Sequence, residues 1–318
     1  MHFSLKFSNF IYIFLISKAM NTSLKIQKIL IPTDFSKTSL KAVDHAVSMA
    51  KLYKAEIILL HASESLLVNT EPGYFVPPTF QQDYENSVIE QSDRHLNDIA
   101  ERIKKKGAGK VSCLTIIGRT HSAILDSAKK QKADIIIMGT HGVSGAREFF
   151  MGSNTFRVIR DAKCPVLSVQ RATRAAGFRN ILVPFRDRPH SREKVDYAID
   201  IARMYKANMH VLGVDTEFTK AHRKKVALQA QQIKEIASHR GVKSSIKIIE
   251  HVYLVDTILK YANTIDADLI VNTSSLDREN ITEYFTGPVS QQLVNHSPIP
   301  VLSIHPSFNP DTVDLRFY

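Results

Sequence analysis

Two tandem doubly wound α/β domains, each on a parallel sheet, are the fold this sequence predicts, and three observations predict it. The first is an internal duplication. KILIPTDFSKTSLKAVDHAVSMAKLYKAEIILLHA, opening at Lys28, aligns without a gap to NILVPFRDRPHSREKVDYAIDIARMYKANMHVLGV, opening at Asn180. Further on, KADIIIMGTHG answers DADLIVNTSSL, and CPVLSV from Cys164 answers IPVLSI from Ile299. A repeat of this length means one domain used twice. The second observation is a set of short, continuous apolar runs at 29–31, 57–60, 135–138 and 166–169. Strands that read this way are buried on both faces, as in parallel sheets. The third is that helical stretches separate the runs, giving a β-α-β order.

Each element has its own local reason. Residues 39–51 place Leu40, Val43, Val47 and Ala50 on one stripe of a helix. Residues 82–106 make a longer, more polar helix that Gly107 stops. A third helix, 122–130, follows Gly118, and a fourth, 154–160, follows Gly152 and Ser153. The segment 63–82, rich in proline and aromatics, reads either as a lid over a site or as a variable loop. Domains are expected at 20–170 and 179–306, with a linker at 171–178 and a tail at 307–318.

Composition narrows the function classes. A chain of 318 residues that is 44% apolar can fill two cores. Net charge +11 favours anionic partners, but the lysines and arginines are interleaved with acids along helices, so no nucleic-acid patch is expected. Cys113 and Cys164 make no disulfide framework and fit a reducing, cytoplasmic compartment. The histidines show no HExxH or Cys/His spacing, so no metal site is expected. The run FIYIFLI at 10–16 is too short to span a bilayer, which takes ~20 apolar residues. Residues 1–19 read as an upstream mis-start before Met20 or as a targeting segment.

The chemistry concentrates after the fourth strand of the first copy, in GTHGVSGAREFFMGS. Gly139, Gly142, Gly152 and Ser153 stand there in the spacing G-x2-G-x9-G-S. Glycines after a buried strand let backbone N–H groups approach an anion, and a helix opening at Asn154 adds the free N–H groups of its first turn. The Ser153 hydroxyl can cap that helix or bind phosphate. With PTDFS at 32–36, LLHA at 59–62 and GSNTFRVIR…CPVLSV, the chain resembles the universal stress protein family of the ATP-binding kind.

That resemblance implies a Rossmann-like fold, akin to the adenine nucleotide alpha hydrolases, and ATP as the cofactor, with or without Mg²⁺. It implies that Pro32 and Asp34 lie at the nucleoside, that the backbone at Ala62 meets the adenine edge, and that Gly139, Gly142, Gly152, Ser153 and Asn154 hold the phosphates. In the family, fifth strands of two subunits pair across a two-fold axis. Here the two copies are expected to form an internal pseudo-dimer through 165–169 and 300–304, with or without a further homodimer. Asp34 also has a plainer reading as a helix cap. His141 and Arg147 read as surface residues of the glycine loop, with Arg147 alternatively reaching a terminal phosphate.

The second copy departs from this pattern. Arg186 replaces Asp34, Thr273 replaces Gly139 and Leu276 replaces Gly142, while Gly287 persists and Pro288 replaces the serine. It reads as a structural partner or as a site for something other than ATP. Three function classes follow: a nucleotide-binding signalling protein with an unknown protein partner, a slow ATPase or nucleotidyl transferase, and a nucleotide-free scaffold. The first is expected, because no P-loop, HIGH-type signature or general base accompanies the glycines.

Overall fold

The computed structural model describes residues 24–65, 77–140, 152–170, 173, 177–187, 193–250, 253–274 and 289–305. The extension 1–19, Gly142, His141, Arg147, Leu276, Gly287, Pro288 and most of the expected lid or loop fall outside the described residues.

In the first half, β1 (Lys28–Pro32), α1 (Lys37–Tyr53), β2 (Glu56–Ser63) and α2 (Pro78–Lys105) lead to β3 (Val111–Ile117), α3 (Thr120–Gln131), β4 (Ile135–Gly139), α4 (Ser153–Asp161) and β5 (Val166–Val169). The second half repeats the order among its described residues. It runs β6 (Asn180–Phe185), α5 (Glu193–Tyr205), β7 (Asn208–Asp215), α6 (Lys220–His239), β8 (Ser244–Glu250), α7 (Leu254–Thr264), β9 (Leu269–Thr273), α8 (Val289–His296) and β10 (Val301–Ile304).

Local chemistry sets the bounds. Ser36 caps α1, its Oγ accepting the Ser39 N–H at 3.2 Å. Pro78 opens α2, where its missing N–H costs nothing. Gly107, at φ +81°, follows the end of α2, so the predicted stop has its expected left-handed residue.

The strands form one ten-stranded sheet in the order β3-β2-β1-β4-β5-β10-β9-β6-β7-β8. Neighbours are parallel throughout except β5 and β10, which meet antiparallel. The two halves therefore join as the internal pair that the sequence led us to expect. In each half the chain turns back between its first and fourth strands, and such switch points open a crevice at the carboxyl ends of the strands.

Apolar cores cover both faces and run through the join. One contains Ile29, Ile57 and Leu167 from the first half with Leu302, Val183 and Val211 from the second. The other joins Leu30, Leu60 and Met138 to Leu182, Leu212 and Ile270. Each fully buried Leu or Ile contributes about 1.5–3 kcal/mol relative to exposure.

Polar and aromatic contacts reinforce the join. Leu24 N–H donates to Asp200 Oδ2 at 2.6 Å, and Gln170 Nε2 donates to the Val294 carbonyl at 2.6 Å. Phe178, inside the expected linker, is buried between His45 (centroids 5.9 Å apart) and Tyr205 (4.8 Å). Thr173 of the same segment is also buried, and its carbonyl accepts from Lys41 Nζ at 2.7 Å. At these described positions the connector is part of the packed interface rather than a loose tether.

Candidate functional site

The crevice of the first half is a cleft of about 390 Å³, within the usual range for small-molecule sites. Pro32, Asp34, Ala62, Gly139, Gly152, Ser153 and Asn154 all line it. Of the residues the sequence singles out for the ligand, Gly142 and the alternative phosphate contact Arg147 lie outside the described residues. Thr33, Ser39, Leu60, Thr120, Ile124, Met138 and Thr155 complete the wall.

The nucleoside end is built where β1 stops. Thr33 N–H still bonds the Leu60 carbonyl at 2.8 Å, but β1 pairs with β2 only as far as Pro32 and Leu60. Strand β2 continues to Ser63. Peptide groups alternate sides along a strand, so Ala62, two residues past Leu60, turns its N–H and C=O to the side β1 has vacated. Its backbone edge therefore faces the cleft.

Beyond β1 the chain makes a tight polar turn. Phe35 N–H bonds Thr33 Oγ1 at 3.0 Å, and Ser36 N–H bonds Asp34 Oδ1 at 3.1 Å. Phe35 sits at φ +64°, a conformation costing ~1–2 kcal/mol for a residue with a β-carbon. Its ring stacks on His61 (4.5 Å) and meets His95 (5.1 Å), which anchors the turn. Asp34 is thus held at the cleft wall by an Asx turn. The cap of α1 is Ser36, not Asp34, which removes the plainer reading of that carboxylate.

The opposite end is built by β4 and α4. Gly139 ends β4, Thr140 N–H bonds the Val169 carbonyl at 3.0 Å, and Gly152 N–H bonds the Thr140 carbonyl at 2.9 Å. These bonds bring the start of α4 back beside the end of β4. Phe156 N–H is the donor that reaches back to Gly152 O, at 3.1 Å, so the N–H groups of Ser153, Asn154 and Thr155 belong to the first turn, which lacks intrahelical acceptors. All three residues line the cleft, and such a helix end favours an anion. Thr155 Oγ1 donates to the Gly139 carbonyl at 3.2 Å, fixing helix to strand.

Two sequence-based reasons need correction. Ser153 does not cap α4: Gly152 is the cap residue, with no side-chain cap bond, and Ser153 is the first helical residue. Gly139 is required chiefly by packing. A β-carbon there would stand 3.0 Å from Ser39 N and 3.0 Å from Thr38 Cγ2, so the first turn of α1 closes directly on it. Gly152 carries no such constraint, since a β-carbon would meet only Thr140 O at 3.5 Å.

Sequence reasoning missed Thr120 and Ile124, because α3 leads from the edge strand β3 to the central β4 and crosses the cleft on the way. Gly118, at φ +154° just before α3, was the one available signal. Thr33, inside PTDFS, and Ser39, three residues past it, have hydroxyls 3.0 Å apart, and the motif gave neither a role.

The second half holds different groups in the corresponding places. Arg186 follows β6, Val214 replaces Ala62, and Thr273 ends β9 where Gly139 ends β4. A β-carbon at that point would crowd a helix approaching as closely as α1 approaches Gly139.

Known proteins agree with this architecture. The model of the universal stress protein family matches residues 25–170 and again 177–305. A universal stress protein of Methanocaldococcus jannaschii is 32% identical over 159 residues, covering 47% of this chain and 98% of the relative. Universal stress protein YxiE of Bacillus subtilis is 32% identical over 146 residues, covering 45% and 98%. A universal stress protein from Archaeoglobus fulgidus superposes with a TM-score of 0.70 at 20% identity, over 90% of this chain and 99% of that one, and so shares the fold. Among the described residues no helix is long and apolar enough to cross a membrane. With two matches covering both halves and a sheet that joins them, the chain belongs to the universal stress protein family.

Proposed function

We propose that the first half holds an adenine nucleotide, ATP in the first instance, and that the protein uses it as a regulatory ligand during stress. One observation carries this reading: a single cleft gathers Asp34, the backbone edge of Ala62 and the first turn of α4. The backbone at Ala62 offers a donor and an acceptor to the adenine edge. The Asp34 carboxylate suits ribose hydroxyls. Leu60, Ile124 and Met138 give apolar walls, and the N–H groups of Ser153–Asn154–Thr155 suit phosphate oxygens.

Binding rather than turnover is favoured by the side chains present. Among the described lining residues Asp34 is the one titratable group, and a lone carboxylate supplies neither an acid–base pair nor a paired acidic site for Mg²⁺. A calorimetric titration with ATP should give one site per chain. Asp34→Ala should weaken it about tenfold or more, ~1.4 kcal/mol. Two equal sites, or none, would contradict the reading, and steady ADP release on long incubation would make the protein a slow ATPase instead.

A further inference from the structure

Two surface helices leave apolar side chains in solvent and carry opposite charge. In α2 the core-facing stripe of Ser92, Leu96, Ile99 and Ile103 is buried. Stepped back one turn at a time, that stripe continues through Val88, Tyr84 and Phe80. No residue from Pro78 to Gln91 is buried, and Phe80 and Tyr84 stand 61% and 39% exposed. The opening turns of α2 thus run past the core they should pack on. Around them stand Asp83, Glu85, Glu90 and Asp93, and no lysine or arginine occurs from Pro78 to Asp93.

The matching helix of the second half, α6, shows the reverse. Val226, Ala230, Ile233 and Ala237 face the core. Leu228, on the far side of the helix from Val226, is 55% exposed, and Phe218, just before the cap residue Thr219, is 54% exposed. Phe218 is held in place, its N–H bonding Asp215 Oδ1 at 3.3 Å with φ at +57°. That backbone is unfavourable for a residue with a β-carbon. Phe35, at a similar angle, stacks its ring on His61, whereas the Phe218 ring stands largely in solvent. From Lys220 to Lys234 the helix has no carboxylate. Lys225 and Arg223 are engaged by Asp187 and Glu250, while Lys220 and Lys224 have no carboxylate partner among the described residues.

Position makes the two surfaces parts of one contact. Both helices pack in the same layer, against one apolar core. They cover opposite edges of the sheet, α2 at β3 and α6 at β7 and β8. Neither can therefore reach the other within one chain. A surface at one end that complements a surface at the other brings in a second copy head to tail.

We propose that α2 of one copy docks on α6 of a second copy of this chain, Phe80 and Tyr84 meeting Leu228 and Phe218, with the acids of α2 facing Lys220 and Lys224. The charges select this pairing, since α2 on α2 would oppose acids and α6 on α6 would oppose lysines. A contact of two helix faces is small beside the ~1,600 Å² of a standard stable interface, so the association is weak and driven by concentration. The proposal does not depend on what the cleft holds.

The test is sedimentation equilibrium of the full chain over rising concentration, at ~0.1 M and ~1 M salt, between which the screening length falls from ~10 to ~3 Å. The chain should associate beyond a dimer at low salt, and less at high salt. Phe80→Ser with Asp83→Asn disables α2, and Lys224→Gln with Leu228→Ser disables α6. Each double variant alone should associate about tenfold more weakly or worse. Mixed in equal amounts they should regain a dimer and stop there, because one intact α2 then meets one intact α6. That recovery also shows that both variants are folded. A chain that stays monomeric, association that either variant leaves unchanged, or a mixture without recovery would overturn the proposal. So would a monomer that instead sediments with phosphatidylserine vesicles and loses them in the α6 variant, which would give α6 to a membrane.

Discussion

Leu167 of β5 stands directly opposite Leu302 of β10, at the centre of the antiparallel pairing that joins the two halves. The flanking pairs are Ser168 with Val301 and Val166 with Ser303, and Ser168 Oγ donates to the Val301 carbonyl at 3.0 Å. Two strands of four residues each therefore hold two halves together, helped by the buried contacts around them.

That opposition can be read chemically. Directly opposed residues place their β-carbons ~4.5–5.5 Å apart, near the reach of a disulfide. Cysteines at Leu167 and Leu302, in a background of Cys113→Ser and Cys164→Ala, should crosslink within one chain. Oxidation should keep the protein at the size of one chain, with faster migration than the reduced form in a non-reducing gel. A ladder of crosslinked dimers with no intrachain product would contradict the pairing.

The two motif glycines should respond differently to the same change. Gly139→Ala pushes a β-carbon into the backbone at Ser39 and should cost ~1–3 kcal/mol of stability, as overpacking does. Gly152→Ala meets only an ordinary contact at Thr140 O, at a φ of −57° open to any residue. Its unfolding midpoint should move little. Equal losses in chemical denaturation would show that the helix approach at Gly139 is wrongly described.

His45 ties stability to pH. Burial lowers its pKa to about 4, its Nδ1 lacks a partner, and the ring stacks on Phe178 at the join. The folded state therefore binds fewer protons here than the unfolded state. The neutral ring's contribution is complete above pH ~6.5 and is lost as pH falls toward 4, by about 3 kcal/mol in all. His45→Phe should flatten this part of the acid limb in denaturation measured between pH 7 and 4. An unchanged slope would remove His45 from the account.

Asp200 is a further point of sensitivity. It is 2% exposed, accepts the Leu24 N–H across the join, and pairs with Arg240 at 2.5 Å and Arg203 at 3.2 Å. Asp200→Ala leaves the buried Arg240 guanidinium with Asp196 as its remaining carboxylate among the described residues. A loss of ~3 kcal/mol is expected, typical of breaking a buried pair. A loss under half of that would show that Asp196 compensates.

The sequence disclosed the duplication and the β-α order because those rest on repeated apolar runs with clear boundaries. It did not single out β3, whose residues are half-buried at the sheet edge and form no solid apolar block. Site residues carried by motifs were legible, since glycines and an aspartate at fixed spacing stand out along the chain. Thr120 was not, because a threonine at the first position of a helix acquires its place only from the sheet order. The meaning of Gly139 was half legible: the need for glycine was visible, whereas its cause, the packing of α1, exists only in three dimensions.

Both apolar layers pass without interruption across the β5–β10 seam, so neither half can lose its packing without stripping cover from the other. The chain should melt as one cooperative unit rather than as two modules in series. A ligand seated in the first cleft would then protect amides of the far half from hydrogen exchange, through shared cohesion alone and with no change of shape.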